Sequence, residues 1–157
     1  MIFIGIDPGL SGAIAVLWPD GPVADDMPTV VYSKTGFVKR AVDLHALAGI
    51  LRPYENLPCQ VFLERVNAFP GQCVGSMFSL GMSYWGAAGV CAALGLPLNL
   101  ISPQDWKKHF KLNAEKDLAR GLASRLFPSV DLSKKKDHGR AEALLIARYG
   151  QDNFKGD

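Results

Sequence analysis

The chain has 157 residues, of which 48% are hydrophobic and 20% charged, so it is long and apolar enough to bury a substantial core. This composition excludes an intrinsically disordered chain, and we expect residues 1–157 to form a single domain. The formal net charge is only +2, but residues 101–157 carry twelve Lys and Arg against eight Asp and Glu. Such a basic region can bind a polyanion, although many lysine-rich surfaces serve only solubility.

The cysteine pattern and the apolar segments favour a cytoplasmic protein without membrane association. An odd number of cysteines with no CxxC pair predicts neither a disulfide framework nor a zinc site. The first apolar run is a short strand rather than a cleavable leader. No charge occurs between Arg65 and Asp105, and residues 80–101 raise the question of a membrane span. Polar residues, glycines and Pro97 interrupt this segment, so we interpret it as a buried helix followed by a strand.

The first third of the chain predicts strands joined by tight turns, followed by a helix. Ile2–Ile6 and Ala13–Trp18 are apolar runs on either side of a Gly/Pro-rich turn, which is typical of a hairpin. A third, weaker strand is predicted at Val23–Met27 or at Thr29–Tyr32. Apolar residues recur at helical spacing over Arg40–Leu51 and predict a helix there.

The remainder alternates between strands and helices. Gln60–Glu64 repeats the opening pattern, an apolar strand that finishes in a carboxylate. A helix rich in small residues is predicted at Val74–Leu94 and a short strand at Leu98–Ile101. Further helices are predicted at Pro103–Phe110, Ala114–Phe127 and His138–Tyr149.

Two predicted strands end in an acidic residue, Asp7 and Glu64, and each is followed by a loop containing Gly or Pro. A strand holds its last side chain with little freedom, so acids that end neighbouring strands can be kept close together despite their repulsion. Either acid alone would more simply be a solvated residue at a strand end. The pair is costly without a cation, which makes both candidates for metal ligands.

A third acidic segment lies at the start of the last predicted helix, after the basic run Lys134–Lys136. His138 and Glu142 are four residues apart and share a helix face, and Asp137 precedes them in the loop. The simpler interpretation is that Asp137 caps the helix and Glu142 is a surface acid. Taken together, three acidic places predict an oxygen-rich pocket that suits Mg²⁺ or Mn²⁺, with two ions about 3.5–4 Å apart able to hydrolyse a phosphodiester.

Three motifs then carry a resemblance that covers nearly the whole chain. They are GIDPGLSG at 5–12, VFLERV at 61–66 and KDHGRAEALLIA at 136–147. In combination they resemble the RuvC-type Holliday junction resolvases of the ribonuclease H-like superfamily, most closely the phage-type branch. The resemblance implies an α/β fold whose central mixed sheet has three antiparallel strands followed by two parallel ones, flanked by helices. It also implies a dimeric, Mg²⁺-dependent endonuclease that nicks two opposed strands of a four-way DNA junction.

The resemblance assigns the acidic tetrad residue by residue. Asp7 matches the first acid, Glu64 the second, and Glu142 the last, where many relatives have Asp. Relatives carry an acid or His about one turn before the last acid, but here Gly139 stands three residues back. We expect Asp137 to take this position, with His138 as the competing ligand.

The resemblance also implies contacts with DNA and with a second copy of the chain. Phe69 lies in the loop from which relatives insert an apolar side chain near the junction centre, and base stacking or anchoring of the loop would each explain it. The helix 74–94 matches the dimerisation helix, whose small residues allow close approach. Trp106 is expected in the core. The side chains expected to contact phosphates are Lys107, Lys108, Lys111, Lys116, Lys134, Lys135, Lys136 and Arg140.

Three alternatives remain open. The chain could be a related ribonuclease H-like nuclease that acts on other branched DNA or on RNA. It could be an ATP-binding fragment of the actin-like or sugar kinase type, because the motif around Asp7 resembles a phosphate loop, but 157 residues lack the second lobe and second loop. A non-catalytic junction-binding protein is the third, and the presence of all the acids argues against it.

Overall fold

The computed structural model describes residues 1–36, 38–68, 70–113 and 115–155. These residues form seven strands: β1 (Ile2–Asp7), β2 (Ala13–Trp18), β3 (Gly21–Asp26), β4 (Thr29–Val31), β5 (Arg40–Val42), β6 (Cys59–Glu64) and β7 (Leu98–Ile101). The helices are α1 (Leu44–Leu51), α2 (Val74–Ala93), α3 (Pro103–His109), α4 (Lys116–Leu126) and α5 (His138–Asn153). Short 3₁₀ turns lie at Arg52–Tyr54 and Lys135–Asp137.

The central sheet has five strands in the order β3-β2-β1-β6-β7. Strands β1, β2 and β3 are antiparallel neighbours, because tight turns join them, whereas β6 lies parallel to β1 and β7 parallel to β6. This confirms the predicted mixed sheet of three antiparallel strands followed by two parallel ones. It also brings the ends of β1 and β6 to the same edge of the sheet.

Helices cover both faces of the sheet, and the sheet divides the core into two layers. Helices α1 and α2 pack on one face through Leu47, Leu51 and Ala87, which are all fully buried. Helices α3, α4 and α5 pack on the other face, where Trp106 and Leu144 are fully buried. Within the described chain, no helix is long and apolar enough to cross a membrane.

The prediction of a helix over Arg40–Leu51 is wrong at its start. Residues 40–42 form β5, which pairs with β4 in a separate two-stranded sheet, and α1 begins only at Leu44. The side chain of Asp43 accepts a hydrogen bond from the Ala46 backbone N–H at 3.0 Å and caps the helix there. Both candidate positions for the third strand form strands, as β3 and β4.

Candidate active site

The two strand-end acids lie next to each other. Strands β1 and β6 pair in parallel with Ile6 opposite Leu63, so the next residues along the two strands are Asp7 and Glu64. Both acids end their strands and are half-buried. The predicted juxtaposition of these two positions at one sheet edge is therefore present in the fold.

Both acids face the layer formed by α3, α4 and α5. Side chains alternate between the two faces of a strand, and Phe62, two residues before Glu64, packs in that layer. Phe3, four residues before Asp7, packs in the same layer. The two carboxylates therefore point to the side of the sheet on which α5 lies.

Helix α5 is pressed onto β1 and onto the turn that follows Asp7. A β-carbon added at Gly139 would lie 2.4 Å from the Ser11 carbonyl oxygen, and one added at Gly5 would lie 2.1 Å from the Ala143 carbonyl oxygen. At these distances only glycine fits, so the helix and strand backbones meet without intervening side chains. This close contact carries the start of α5, the third acidic segment, to the edge that holds Asp7.

Glu64 occupies an electrostatically unfavourable position. Its Oε1 accepts a hydrogen bond from Trp106 Nε1 at 2.8 Å. Burial raises the pKa of the Glu64 carboxyl, and the negative charge of Glu142 raises it further, whereas the Trp106 bond and the charge of Lys107 lower it. The repulsion between Glu64 and Glu142 shows that the last helix brings its acid within electrostatic reach of the strand-end acids.

Helix α3 supplies a cation to this acidic edge. The Lys107 ammonium lies 4.0 Å from Glu142 Oε1 and 5.1 Å from the centroid of the Trp106 ring. Sequence reasoning assigned Lys107 to DNA phosphates and Trp106 to the core. Trp106 is indeed fully buried, but its hydrogen bond to Glu64 had no signal in the sequence, because 42 residues separate the two.

The two candidates for the remaining ligand differ in their surroundings. Asp137 is 4% exposed, and its Oδ2 accepts a hydrogen bond from the Lys134 backbone N–H at 2.8 Å. The Nε2 of His138 lies 4.0 Å from Asp117 Oδ1, while its Nδ1 is buried without a hydrogen-bond partner among the described residues. One oxygen of Asp137 thus stabilises the 3₁₀ turn, whereas one nitrogen of His138 is unsatisfied.

The donor set suits a hard divalent cation, because Asp7, Glu64 and Glu142 offer only carboxylate oxygens. Burial and mutual repulsion at Glu64 are the conditions that a bound cation relieves. In the part of the chain that the structure describes, no three His, Cys, Asp or Glu side chains are gathered closely enough to hold a metal ion. Mg²⁺ is often bound by one or two carboxylates together with water and substrate phosphate, so an open edge of acids is compatible with it.

The basic residues predicted to contact DNA fall into three groups. Lys107, Lys108 and Lys111 line a surface groove of about 670 Å³ along α3. The run Lys134–Lys136 is exposed at the 3₁₀ turn before α5. Arg140 instead donates its Nε–H to Asp26 Oδ1 at 2.6 Å, which ties α5 to the end of β3. Phe69 and the side chain of Lys116 lie outside the described residues.

No protein-family description matches this sequence, and no curated protein matches it. Solved structures do. RuvC of T. thermophilus in complex with a Holliday junction substrate superposes with a TM-score of 0.64 at 14% identity, over 97% of this chain and 95% of that one. A second Thermus thermophilus RuvC structure gives a TM-score of 0.58 at 16% identity, over 97% and 96% of the two chains. The chain therefore has the RuvC-like, ribonuclease H-like fold along nearly its whole length.

Proposed function

We propose that this protein is a metal-dependent endonuclease that resolves four-way DNA junctions by symmetric nicks. The observation that carries the proposal is the acidic edge, where Asp7 and Glu64 end adjacent parallel strands and Glu142 lies within electrostatic reach of Glu64. The RuvC-like fold supports it, since one of the matching structures is RuvC bound to a Holliday junction substrate.

Asp7, Glu64 and Glu142 would hold Mg²⁺, with Mn²⁺ as a substitute and two ions per site. Bound metal would supply an activated water and would stabilise the leaving oxygen of the phosphodiester. The chain's own contribution is to fix the carboxylates. Trp106 holds Glu64 through its N–H, and the contact of Gly139 with the turn at Ser11 holds α5 beside Asp7.

Asp137 and His138 remain the two candidates for the fourth ligand. Asp137 would have to share its carboxylate between the ion and the Lys134 backbone. The buried, unpartnered Nδ1 of His138 supports the second candidate, because a ligand would satisfy it. Replacing each by alanine and measuring the Mg²⁺ concentration for half-maximal cleavage distinguishes them, since loss of the true ligand raises that concentration more.

We also infer that junction phosphates contact the lysines that flank the acidic edge. Lys108 and Lys111 line the groove beside Lys107, and Lys134–Lys136 are exposed directly before the third acidic segment. Lysines bind phosphate as point charges and therefore confer affinity without reading sequence. Arg140 is supported less well, because its guanidinium already pairs with Asp26. Phe69 and Lys116 keep the roles that the resemblance gives them.

Symmetric nicking requires two active sites, and α2 offers a surface for a homodimer. Val74, Phe78 and Trp85 lie on one face of this helix and are 76%, 57% and 69% exposed. Gly81 and Gly89 lie on the same face, and no atom of the described residues lies within 4 Å of the positions where their side chains would begin. A helix of a second copy could pack closely along this apolar, glycine-containing face.

The test is cleavage of a panel of four-way junction, flap, duplex and RNA substrates with Mg²⁺ and with a chelator. We expect Mg²⁺-dependent cleavage that favours the four-way junction. Equal or better cleavage of flaps or RNA would instead indicate a ribonuclease H-like nuclease of broader range.

The substitution Asp7→Asn removes a ligand charge at nearly constant size. We expect it to abolish cleavage while junction binding, measured by gel shift, persists. Asp20→Asn, at the exposed turn between β2 and β3, is the matched control and should cleave like the wild type. Unchanged cleavage by Asp7→Asn would refute the proposed site.

A further inference from the structure

A second groove opens at the acidic edge, on the side away from the lysines of α3. It has a volume of about 490 Å³ and lies between the turn after β1, the end of the β4–β5 hairpin and the first half of α2. Its polar lining includes Ser11, Lys39, Arg40, Ser76 and Ser79. Ser11 lies in the motif at 5–12, but the sequence did not indicate that it shares a groove with the others, because they come from three separate segments.

The groove begins at the turn that follows the candidate catalytic acid. Gly9 lines it, and the Gly9 backbone N–H donates a hydrogen bond to Asp7 Oδ1 at 3.3 Å. A DNA strand whose phosphate is positioned at Asp7 would therefore cross this turn and enter the groove with its next nucleotides. The turn itself is held to the sheet at its other end, because the Met27 N–H donates a hydrogen bond to the Gly12 carbonyl oxygen at 2.9 Å.

The chemistry of the groove matches a phosphodiester backbone. Two cations and several hydroxyl groups line it, and no carboxylate occurs among the described residues that line it. Arg40 bonds Thr29 across the hairpin, which holds its guanidinium in place, whereas Lys39 has no ion-pair partner among the described residues. Point charges and hydroxyls that recognise phosphate without base contacts give binding independent of sequence.

The hairpin that carries these cations is part of the folded domain. Strand β5 pairs with β4 through Arg40 opposite Val31, and the Tyr32 N–H bonds the Lys39 carbonyl oxygen at 2.9 Å. Immediately after β5, the Asp43 N–H bonds the Pro28 carbonyl oxygen at 2.9 Å, and Leu44 packs against Gly86 of α2. Lys39 and Arg40 are thus held opposite the serines of α2.

We propose that this groove binds the phosphate backbone of the strand being cut, on one side of the cleaved bond. The inference rests on the proposed nuclease function, because it is the position of Asp7 that orients the strand. It adds a second phosphate-binding surface contributed by the β4–β5 hairpin and α2, separate from the lysines of α3 and of the 3₁₀ turn before α5.

The test is the affinity of Lys39→Ala for a four-way junction, measured in the Asp7→Asn background without cleavage. We expect binding to weaken about tenfold at 50 mM salt, and the slope of log affinity against log salt to fall by about 0.9 for the lost phosphate contact. Lys34→Ala is the matched control, since Lys34 lies in the same hairpin segment and does not line the groove. Equal effects of the two substitutions, or none from Lys39→Ala, would overturn the proposal.

A second pair of variants separates groove charge from damage to α2. Ser79→Asp introduces an anion into the groove and should weaken junction binding at least as much as Lys39→Ala. Ser79→Asn is neutral and should bind close to the parent. Equal loss in both would mean that the serine position matters for folding rather than for phosphate, and would count against the groove.

Methylphosphonate substitution locates the strand. Removing the charge of one phosphate at a time should weaken binding by the Asp7→Asn protein. In the protein that also carries Lys39→Ala, the same removal should have no further effect at phosphates on one side of the cleaved bond, because their contact is already lost. Loss of this pattern with cleavage intact refutes the groove alone. If Lys39→Ala removes the effect of particular methylphosphonates on a junction that the wild type binds but never cleaves, the nuclease function is refuted and phosphate binding by the groove stands.

Discussion

Glu64 is the residue at which stability and the proposed chemistry conflict. Its carboxylate is half-buried, it faces Glu142, and the N–H of Trp106 offsets only part of the cost of keeping it ionised. A cation held at this edge would remove the cost. Without a cation, the ionised Glu64 carboxylate destabilises the folded protein, as charged groups in binding sites often do.

The substitution Glu64→Gln should therefore stabilise the metal-free protein. Because the folded-state pKa of Glu64 is raised, the folded chain binds the proton more tightly than the unfolded chain, and stability falls as pH rises above the ordinary value of about 4.3. Glutamine avoids this loss and still accepts the Trp106 bond. At pH 8 with a chelator we expect a higher Tm by calorimetry, by about 2–4 °C for each kcal/mol gained, and below about pH 4 no difference.

The control for this prediction is Glu55→Gln, because Glu55 is exposed and the substitution makes the same change of charge. Its Tm should follow the wild type at both pH values. A Tm of Glu64→Gln at or below that of the wild type at pH 8 would show that the carboxylate is not the source of strain, and would weaken the case for a cation at this edge.

At the scale of elements, the sequence predicted the strands and their acids well. Uninterrupted apolar runs such as Ile2–Ile6 and Val61–Leu63 are buried in the middle of the sheet, so their pattern is dictated by the core. Packing of the core does not explain a carboxylate directly after such a run, so the acid points to a function. The positions of Asp7 and Glu64 on one sheet edge were predictable on this basis.

The sequence failed where distant segments decide the structure. Arg40–Val42 continues the helical spacing of α1, yet these residues pair with Thr29–Val31 because Asp43 caps the helix after them. The bond from Trp106 to Glu64 and the approach of Lys107 to Glu142 join segments with no local relation. Such contacts have no periodicity and emerge only once the sheet and α5 are in place.

The contact between α5 and the turn after β1 gives a prediction at this scale. In Gly139→Ala the new methyl group would meet the Ser11 carbonyl oxygen at 2.4 Å and the Gly12 Cα at 2.9 Å, both backbone atoms that cannot rotate away. We expect a loss of about 1–3 kcal/mol, seen in denaturant unfolding, because α5 must shift. Cleavage should fall further than stability explains, since the shift moves Glu142 away from Glu64.

The comparison for that variant is Gly121→Ala in the middle of α4, where no atom in the described part of the chain lies within 4 Å of the added methyl group. Alanine lowers the entropy of the unfolded chain there, so this variant should be more stable by up to about 1 kcal/mol and should cleave normally. Normal cleavage by a folded Gly139→Ala would mean that the start of α5 does not position the site.

At the scale of the whole molecule, the two faces of the sheet are covered by different helices. The face covered by α3, α4 and α5 carries the acidic edge, and the other is covered by α1 and α2. The exposed apolar side of α2 points away from its own sheet, because Tyr84, Ala87 and Cys91 are its buried residues. Pairing two copies through that side would leave both acidic edges free for a junction.

The substitution Trp85→Glu tests this arrangement, because it places a charge near the middle of the exposed face of α2. It also removes the edge-to-face contact between the Trp85 and Tyr84 rings, whose centroids lie 5.3 Å apart. We expect the wild type to have the mass of a dimer by light scattering and the variant that of a monomer, with an unchanged circular dichroism spectrum. The variant should still nick a junction but should make the second cut independently of the first, so nicked intermediates accumulate.

The control is Leu118→Glu, which changes an exposed leucine of α4 in the opposite layer. This variant should remain dimeric and make paired cuts. A wild type that is monomeric at cleavage concentrations, or a Trp85→Glu variant that stays dimeric, would exclude this face as the dimer contact.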